Sequence, residues 1–289
     1  MIKKGFSYIG IYFLHLLSFL PFWFLYTLSD ILYYPIYYLI RYRRQIVRKN
    51  LLNAFPDKEL AEIIQIEKKH YRYLTDLMFE IVKLSSISKP ELLSRVKMKE
   101  HEQVQAYLKR GESTISCTGH YGNWEMCMVV AGIEFYADCN VIYKPINNKT
   151  FESWFNRLRS RFGNTLVAMR QTPRQVIATK NETTMFCFAS DQSPVRSEVQ
   201  YTLNFLNQST AVLMGLEKIA RQTNRPVFYF EFNRVKRGYY EIVAIPLCLN
   251  PKQTKTHEIT DLFFKHLEQT INKQPQYWLW SHNRWKLNH

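Results

Sequence analysis

The chain opens on an apolar block. Residues 5–29 include no Asp, Glu, Lys or Arg and are crowded with Phe, Leu, Tyr and Trp23. Pro21 interrupts the block, and Asp30 separates it from a second apolar run, residues 31–40, itself broken by Pro35. About 20 apolar residues suffice to cross the hydrocarbon core. The length therefore permits one tilted span with a surface helix, or a shallow hairpin that never crosses; a buried helical pair of a soluble protein is the alternative. From Asp57 the pattern changes. Leu60, Ile63, Ile64, Ile66, Tyr71, Leu74, Leu77, Met78 and Ile81 recur at mostly helical spacing, with Asp57 placed to cap the start. Beyond this helix short apolar runs alternate with helical patterns. Strands are predicted at 113–118, 140–143, 165–169, 184–189, 226–232 and 239–245, and helices at 124–132, 151–162, 173–180 and 211–223. Such alternation implies an α/β layer structure: a mostly parallel central sheet flanked by helices, preceded by a hydrophobic, membrane-attaching helical segment. The last two strands, joined through Lys236, Arg237 and Gly238, read as an antiparallel hairpin. No repeat, low-complexity tract or Gly/Ser-rich linker divides the remainder, so the expected organisation is an attachment segment over 1–40 and one domain over 41–289.

Charge sharpens this picture. Lys and Arg number 39 against 24 Asp and Glu, a net charge of +15, which points to an anionic partner. Aromatic residues reach 15%, and Tyr and Trp favour places where one end is apolar and the other wet, including membrane interfaces. No nucleic-acid motif accompanies the charge, and nucleic-acid binding leaves the uncharged N-terminus unexplained. The flank after the apolar block is basic (Arg41, Arg43, Arg44, Arg48, Lys49), against Lys3 and Lys4 before it. The positive-inside tendency then places the rest of the chain in the cytoplasm. The apolar stretch is long and no small-residue cleavage site follows, so a cleaved signal peptide is not expected. The five cysteines (Cys117, Cys127, Cys139, Cys187 and Cys248) lie far apart without a C-x-x-C pair and read as buried free thiols. No His/Asp/Glu cluster has ligand spacing, so neither a metal nor an organic cofactor is suggested.

Chemistry concentrates at one strand end. The strand over 113–118 runs into Gly119-His120-Tyr121-Gly122-Asn123-Trp124-Glu125. The two glycines permit a tight strand-to-helix turn that carries His120 to the carboxyl end of the sheet, where sites of such folds form. Glu125 falls near the first turn of the next helix, within reach of the imidazole. A carboxylate on one ring nitrogen fixes the tautomer and leaves the other nitrogen to accept a proton, which is general-base chemistry for an alcohol. No Ser or Cys sits in a nucleophile elbow, so direct transfer to a substrate hydroxyl is favoured over a covalent enzyme intermediate. Backbone amides around Gly122 are the expected oxyanion donors.

The H-x-x-x-x-E pattern from His120 to Glu125 resembles the catalytic motif of the lysophospholipid acyltransferase superfamily. Its setting, GHYGNWE, resembles the lipid A biosynthesis (lauroyl/myristoyl) acyltransferase branch in particular. Tyr42-Arg43-Arg44, Asn50-Leu51, Phe55-Pro56, Val141-Ile142-Tyr143-Lys144-Pro145, Asp191-Gln192 and the closing segment from Tyr277 to Lys286 agree with that family in order. Two positions depart: Lys144 stands where the family commonly has Arg, and Phe205-Leu206-Asn207 where better-known members carry Phe-Phe-Gly. The resemblance implies an O-acyltransferase of the inner membrane, with acyl carrier protein as donor and a phosphorylated membrane lipid, a lipid A precursor, as acceptor. A lysophospholipid or aminolipid acceptor, or a non-catalytic anionic-lipid-binding protein, are the alternatives. Lys144 then becomes a candidate for the acceptor phosphate, as a point charge where Arg would give a fork. Arg170 is a second candidate for the same site. Asn123 is expected to orient the acceptor or the His120 loop, or simply to cap the helix. Asp191 is expected to organise the site floor or form a turn, and Arg284 to grip lipid headgroups or close the core.

Overall fold

The computed structural model describes residues 2–287, with side chains from Ser7 onward; the side chains of Lys3 and Lys4 lie outside this set. In chain order the helices are α1 (Ile2–Ser18), α2 (Phe22–Tyr34), α3 (Arg44–Ala54), α4 (Leu60–Lys83), α5 (Lys89–Arg95), α6 (Glu102–Lys109), α7 (Trp124–Glu134), α8 (Lys149–Ser160), α9 (Thr172–Ala178), α10 (Gly215–Thr223) and α11 (Glu258–Lys273). The strands are β1 (Val96–Lys99), β2 (Thr114–Thr118), β3 (Asp138–Tyr143), β4 (Thr165–Ala168), β5 (Thr184–Ala189), β6 (Tyr201–Phe205), β7 (Gln208–Val212), β8 (Val227–Lys236) and β9 (Tyr239–Cys248). Seven of them form one sheet in the order β1-β9-β8-β2-β5-β3-β4, and β6 and β7 form a separate hairpin. Every pairing in the large sheet is parallel except β8 with β9.

The central strands are apolar on both faces, as strands covered by helices on two sides must be. On β8, Val227 and Tyr229 enter one core with Phe186 of β5 and with Phe263, Leu267 and Ile271 of α11. Phe228, Phe230 and Phe232 enter the opposite core with Val129 and Val130 of α7 and Trp154 and Leu158 of α8. The period of two assigns the faces. Four of the five cysteines are buried free thiols; Cys248 is half-buried.

Pro21 ends the first apolar helix and opens the second, and Pro35 opens a short π-helical turn over Pro35–Ile40. No helix among the described residues is long and apolar enough to cross a membrane. The inner face of this segment joins the main cores: Tyr33, Ile36 and Tyr37 belong to one, and Ile11 and Phe22 to the other. Polar ties reinforce the contact. Ser29 Oγ donates to Asp76 (2.8 Å), Tyr26 to Glu80 (3.0 Å) and Tyr37 to Glu67 (2.9 Å), all on α4. Part of the basic flank is structural: Arg44 and Arg48 ion-pair with the buried Glu67, and Arg43 donates to the Ser281 carbonyl.

Three expectations are corrected. Asp57 does not cap α4, whose N-cap is Glu59, without a side-chain bond; residues 56–58 form a turn instead. The strand predicted at 226–232 continues to Lys236, because its far half pairs along the whole of β9. The helix predicted over 211–223 begins only at Gly215, because Ala211 and Val212 pair with Thr202 and Tyr201 across the small hairpin. Leu206 and Asn207, both left-handed, make its two-residue turn. Phe205-Leu206-Asn207 is therefore a hairpin tip, and Asn207 stands where a glycine would serve the same backbone geometry.

Candidate active site

Buried β2 ends at Thr118, and residues 119–123 turn directly into α7. Gly119 faces Leu267, whose Cδ1 would lie 2.5 Å from an added Cβ, and Gly122 has φ +56° with the Phe232 carbonyl 2.9 Å from where a Cβ would stand. The turn is thus pressed against both the sheet and α11. The C-terminal segment backs it from outside: Gly122 N donates to Tyr277 O (3.1 Å) and Leu279 N to His120 O (3.1 Å). Asn50 on α3 donates to the carbonyls of Trp280 and His282, so the early and closing motifs clamp one another behind the loop.

His120 reaches the carboxyl end of the sheet as expected, but the carboxylate on its ring is that of Asp191. Asp191 follows β5, the parallel neighbour of β2, and lies beside His120 because Thr118 and Ala189 are in register. His120 Nδ1 is 2.6 Å from Asp191 Oδ1, the His120 amide donates to Oδ2 (2.9 Å), and Trp278 Nε1 donates to Oδ2 (2.8 Å). Burial alone would raise the Asp191 pKa; the adjacent imidazole and these donors instead hold it down at about 2. Burial likewise pulls His120 down, but the charge and hydrogen bond of Asp191, aided by Glu125, leave it above its ordinary value. An ionised Asp191 fixes the proton on Nδ1, so Nε2 presents its lone pair to the cavity. There it meets the Gln192 amide nitrogen at 3.1 Å.

Glu125 enters the same site by a different route. Its carboxylate takes a two-pronged ion pair from Arg159 of α8, Nε to Oε2 at 2.8 Å and Nη2 to Oε1 at 2.6 Å, and Trp124 Nε1 donates to Oε1 (3.2 Å). Burial works against the ionised form, yet Arg159 outweighs it and holds Glu125 below its ordinary value. The Glu125 charge favours the protonated His120 ring, while that of Arg159 opposes it.

His120, Glu125, Arg159 and Gln192 line a cavity of about 470 Å³ whose remaining walls include Met128, Val129, Val141, Ile142, Phe188 and Leu213. Lys144, just past β3, and Arg170, in the 3-10 turn after β4, are exposed and line the same cavity. Two candidates do not reach it. Asn123 is wholly buried: it caps α7 through Met126 N (3.0 Å) and donates to Glu80 (2.7 Å), so it supports the loop and cannot meet an acceptor. Arg284 is 1% exposed and packs over Phe264, so it closes the core and grips no headgroup. Desolvation lowers its pKa to about 10 against the pull of Asp191. The amides expected as oxyanion donors are also engaged, since those of His120, Tyr121 and Gly122 bind Asp191, Gly119 O and Tyr277 O. Sequence reasoning missed Arg159 and Gln192. Arg159 had one signal, a cation one turn from Phe155 on the same helix; Gln192 had its place in the Asp191-Gln192 block.

The chain is similar to the lipid A biosynthesis acyltransferase of Haemophilus influenzae, 22% identical over 280 residues that cover 94% of this chain and 85% of that protein. The model of the bacterial lipid A biosynthesis acyltransferase family matches residues 1–287. With the match extending over the whole described structure, the chain belongs to the bacterial lipid A biosynthesis acyltransferase family and is an acyltransferase.

Proposed function

We propose that this protein moves a fatty acyl group from acyl carrier protein to a hydroxyl of a lipid A precursor at the cytoplasmic face of the inner membrane, with His120 as general base. The observation that carries the reading is the locked imidazole: Nδ1 tied to Asp191, Nε2 turned to an apolar cavity. The acceptor hydroxyl takes the place of the Gln192 amide on Nε2 and gives up its proton as its oxygen attacks the thioester carbonyl. The C–O bond forms, the carbonyl becomes an oxyanion, and collapse breaks the C–S bond; the His120 imidazolium then returns its proton to the departing thiolate. Asp191 stays ionised and stabilises the imidazolium. With the loop amides engaged, Arg159, held in place by Glu125, and the displaced Gln192 amide are the side-chain donors facing the developing negative charge.

Lys144 and Arg170 take the acceptor phosphate at the cavity rim. Membrane seating falls to the outer face of the N-terminal helices, where Tyr8, Ile9, Tyr12, Phe13 and Leu16 are exposed along α1 and Phe19 just after it. Mass spectrometry of total lipids with and without the protein tests the function. The expected result is loss of one secondary acyl chain from lipid A, restored by the wild type but not by His120→Ala. Changes confined to phospholipids or aminolipids would move the acceptor elsewhere, and a fully active His120→Ala protein would end the mechanism.

A further inference from the structure

A second concavity, about 440 Å³, adjoins the catalytic cavity and shares Gln200, Met214 and Lys218 with it. The two differ in chemistry. Where the catalytic cavity has apolar walls, the second groove is lined by Lys218, Arg221, Lys252, Gln222, Thr256 and His257. One carboxylate lies in its wall, that of Glu217, but this is 2% exposed and already accepts from His257 N (2.6 Å), Thr260 N (3.0 Å) and Thr260 Oγ1 (2.7 Å). Arg221 Nη1 lies 3.9 Å from it, 36% exposed, and Lys218 leans on Gln200. The three cations thus converge on a groove whose one acid is consumed by its own protein donors.

Position suggests what they meet. Lys218 stands on the common rim, and Arg221 follows one turn, about 5 Å, along α10. The other cationic end of the catalytic cavity, at Lys144, continues into the 144–148 loop, where Asn148 donates to Ser7 on α1 (3.1 Å), next in sequence to the exposed Tyr8 and Ile9. An acceptor rising from a membrane on those side chains enters beside Lys144. A donor arriving from water needs another approach, and the groove on α10 provides one that is polar and cationic.

We propose that the groove formed by Lys218, Arg221 and Lys252 binds the phosphate of a phosphopantetheine-linked acyl donor, leaving the thioester and acyl chain to extend past Met214 into the catalytic cavity. This rests on the acyltransferase reading above. A carrier protein and coenzyme A share that phosphate, so the chemistry is common to both and the assay separates them. The geometry makes the phosphate, not the carrier surface, the group that is read.

The test compares fatty acyl thioesters of pantetheine, 4′-phosphopantetheine, coenzyme A and acyl carrier protein, with wild type, Lys218→Ala/Lys252→Ala and Lys218→Glu/Lys252→Glu. These side chains are exposed, and Arg221 keeps its ion pair in both variants. The expected wild-type KM is at least tenfold lower for the phosphorylated than for the unphosphorylated pantetheine thioester. The alanine variant should lose most of that preference and the glutamate variant all of it. Calorimetry with 4′-phosphopantetheine alone should show binding that weakens in the same order. If the preference survives both substitutions, or if only the carrier-protein thioester responds, the proposal is overturned. A wild type that turns over none of the four thioesters would sink the acyl-transfer reading, while the calorimetry still decides the groove.

Discussion

At the residue scale, His120 feels two opposed influences: burial favours the neutral ring, and Asp191 with Glu125 favours the charged one, and the acids win. The proposed general-base role requires Nε2 unprotonated, so kcat/KM should fall as pH drops through a value above the ordinary imidazole pKa of about 6.5. In Asp191→Asn only the more distant charge of Glu125 still opposes burial, so the acid limb should move to lower pH while kcat falls by roughly 10² to 10⁴-fold through the wrong tautomer. A variant whose acid limb stays put would show that Asp191 does not set the base. The same pair makes a stability prediction. Asp191 is depressed, so its contribution is present above about 3.9 and lost as pH falls toward about 2. His120 is raised, so its contribution is full below about 6.5 and lost as pH rises through its folded-state pKa. Thermal melts should show the gap between wild type and Asp191→Asn widest between roughly pH 4 and 6.5, narrowing above. His120 was legible in sequence because glycines and a strand end mark it locally. Its true partner was not, because Asp191 is 71 residues away and only strand order makes them neighbours.

At the scale of elements, the His120 loop is held by contacts that do not touch a substrate. Asn123 closes the first turn of α7 and satisfies Glu80, which also accepts from Tyr26 (3.0 Å) and Tyr240 (2.7 Å). Asn123→Ala should lose about 1 kcal/mol for the cap and about 1–3 kcal/mol more for the lost bond to the buried Glu80 carboxylate, whose Oε2 then keeps Tyr240 as its donor. Urea denaturation measures this, and a loss below about 0.5 kcal/mol, the range of neutral surface changes, would mean the network carries no weight. The six predicted strands were readable because each is a short apolar run bounded by turn residues. The β6–β7 hairpin was not, because Ala211 and Val212 continue smoothly into the helical pattern of α10, and a 3.6-residue period absorbs two strand residues without contradiction. β1 also went unread: four residues, Val-Lys-Met-Lys, alternate too briefly to be distinguished from a loop.

At the scale of the whole molecule, the N-terminal helices have two contrasting faces. Their outer side exposes Trp23, Ile31, Tyr34, Leu39 and Ile40 besides the side chains on α1, a concentration of large exposed apolar groups that marks interaction surfaces. Their inner side supplies Leu25, Tyr33, Ile36 and Tyr37 to the interior and hydroxyls to three buried acids of α4. These two roles separate by experiment. Ile9→Asp with Phe13→Asp, or Leu39→Asp with Ile40→Asp, changes only exposed side chains, so flotation with anionic phospholipid vesicles should fall several-fold while the melting temperature stays within about 2 °C. Deleting residues 1–40 should instead leave Glu67, Asp76 and Glu80 short of partners and strip large aromatic side chains from both cores. The expected product is insoluble or unfolded, because each buried aromatic side chain alone is worth about 3–5 kcal/mol. A truncated protein that folds, stays monomeric and melts like the wild type would show that the packing of α2 against α4 contributes little, and would make the segment a detachable anchor after all.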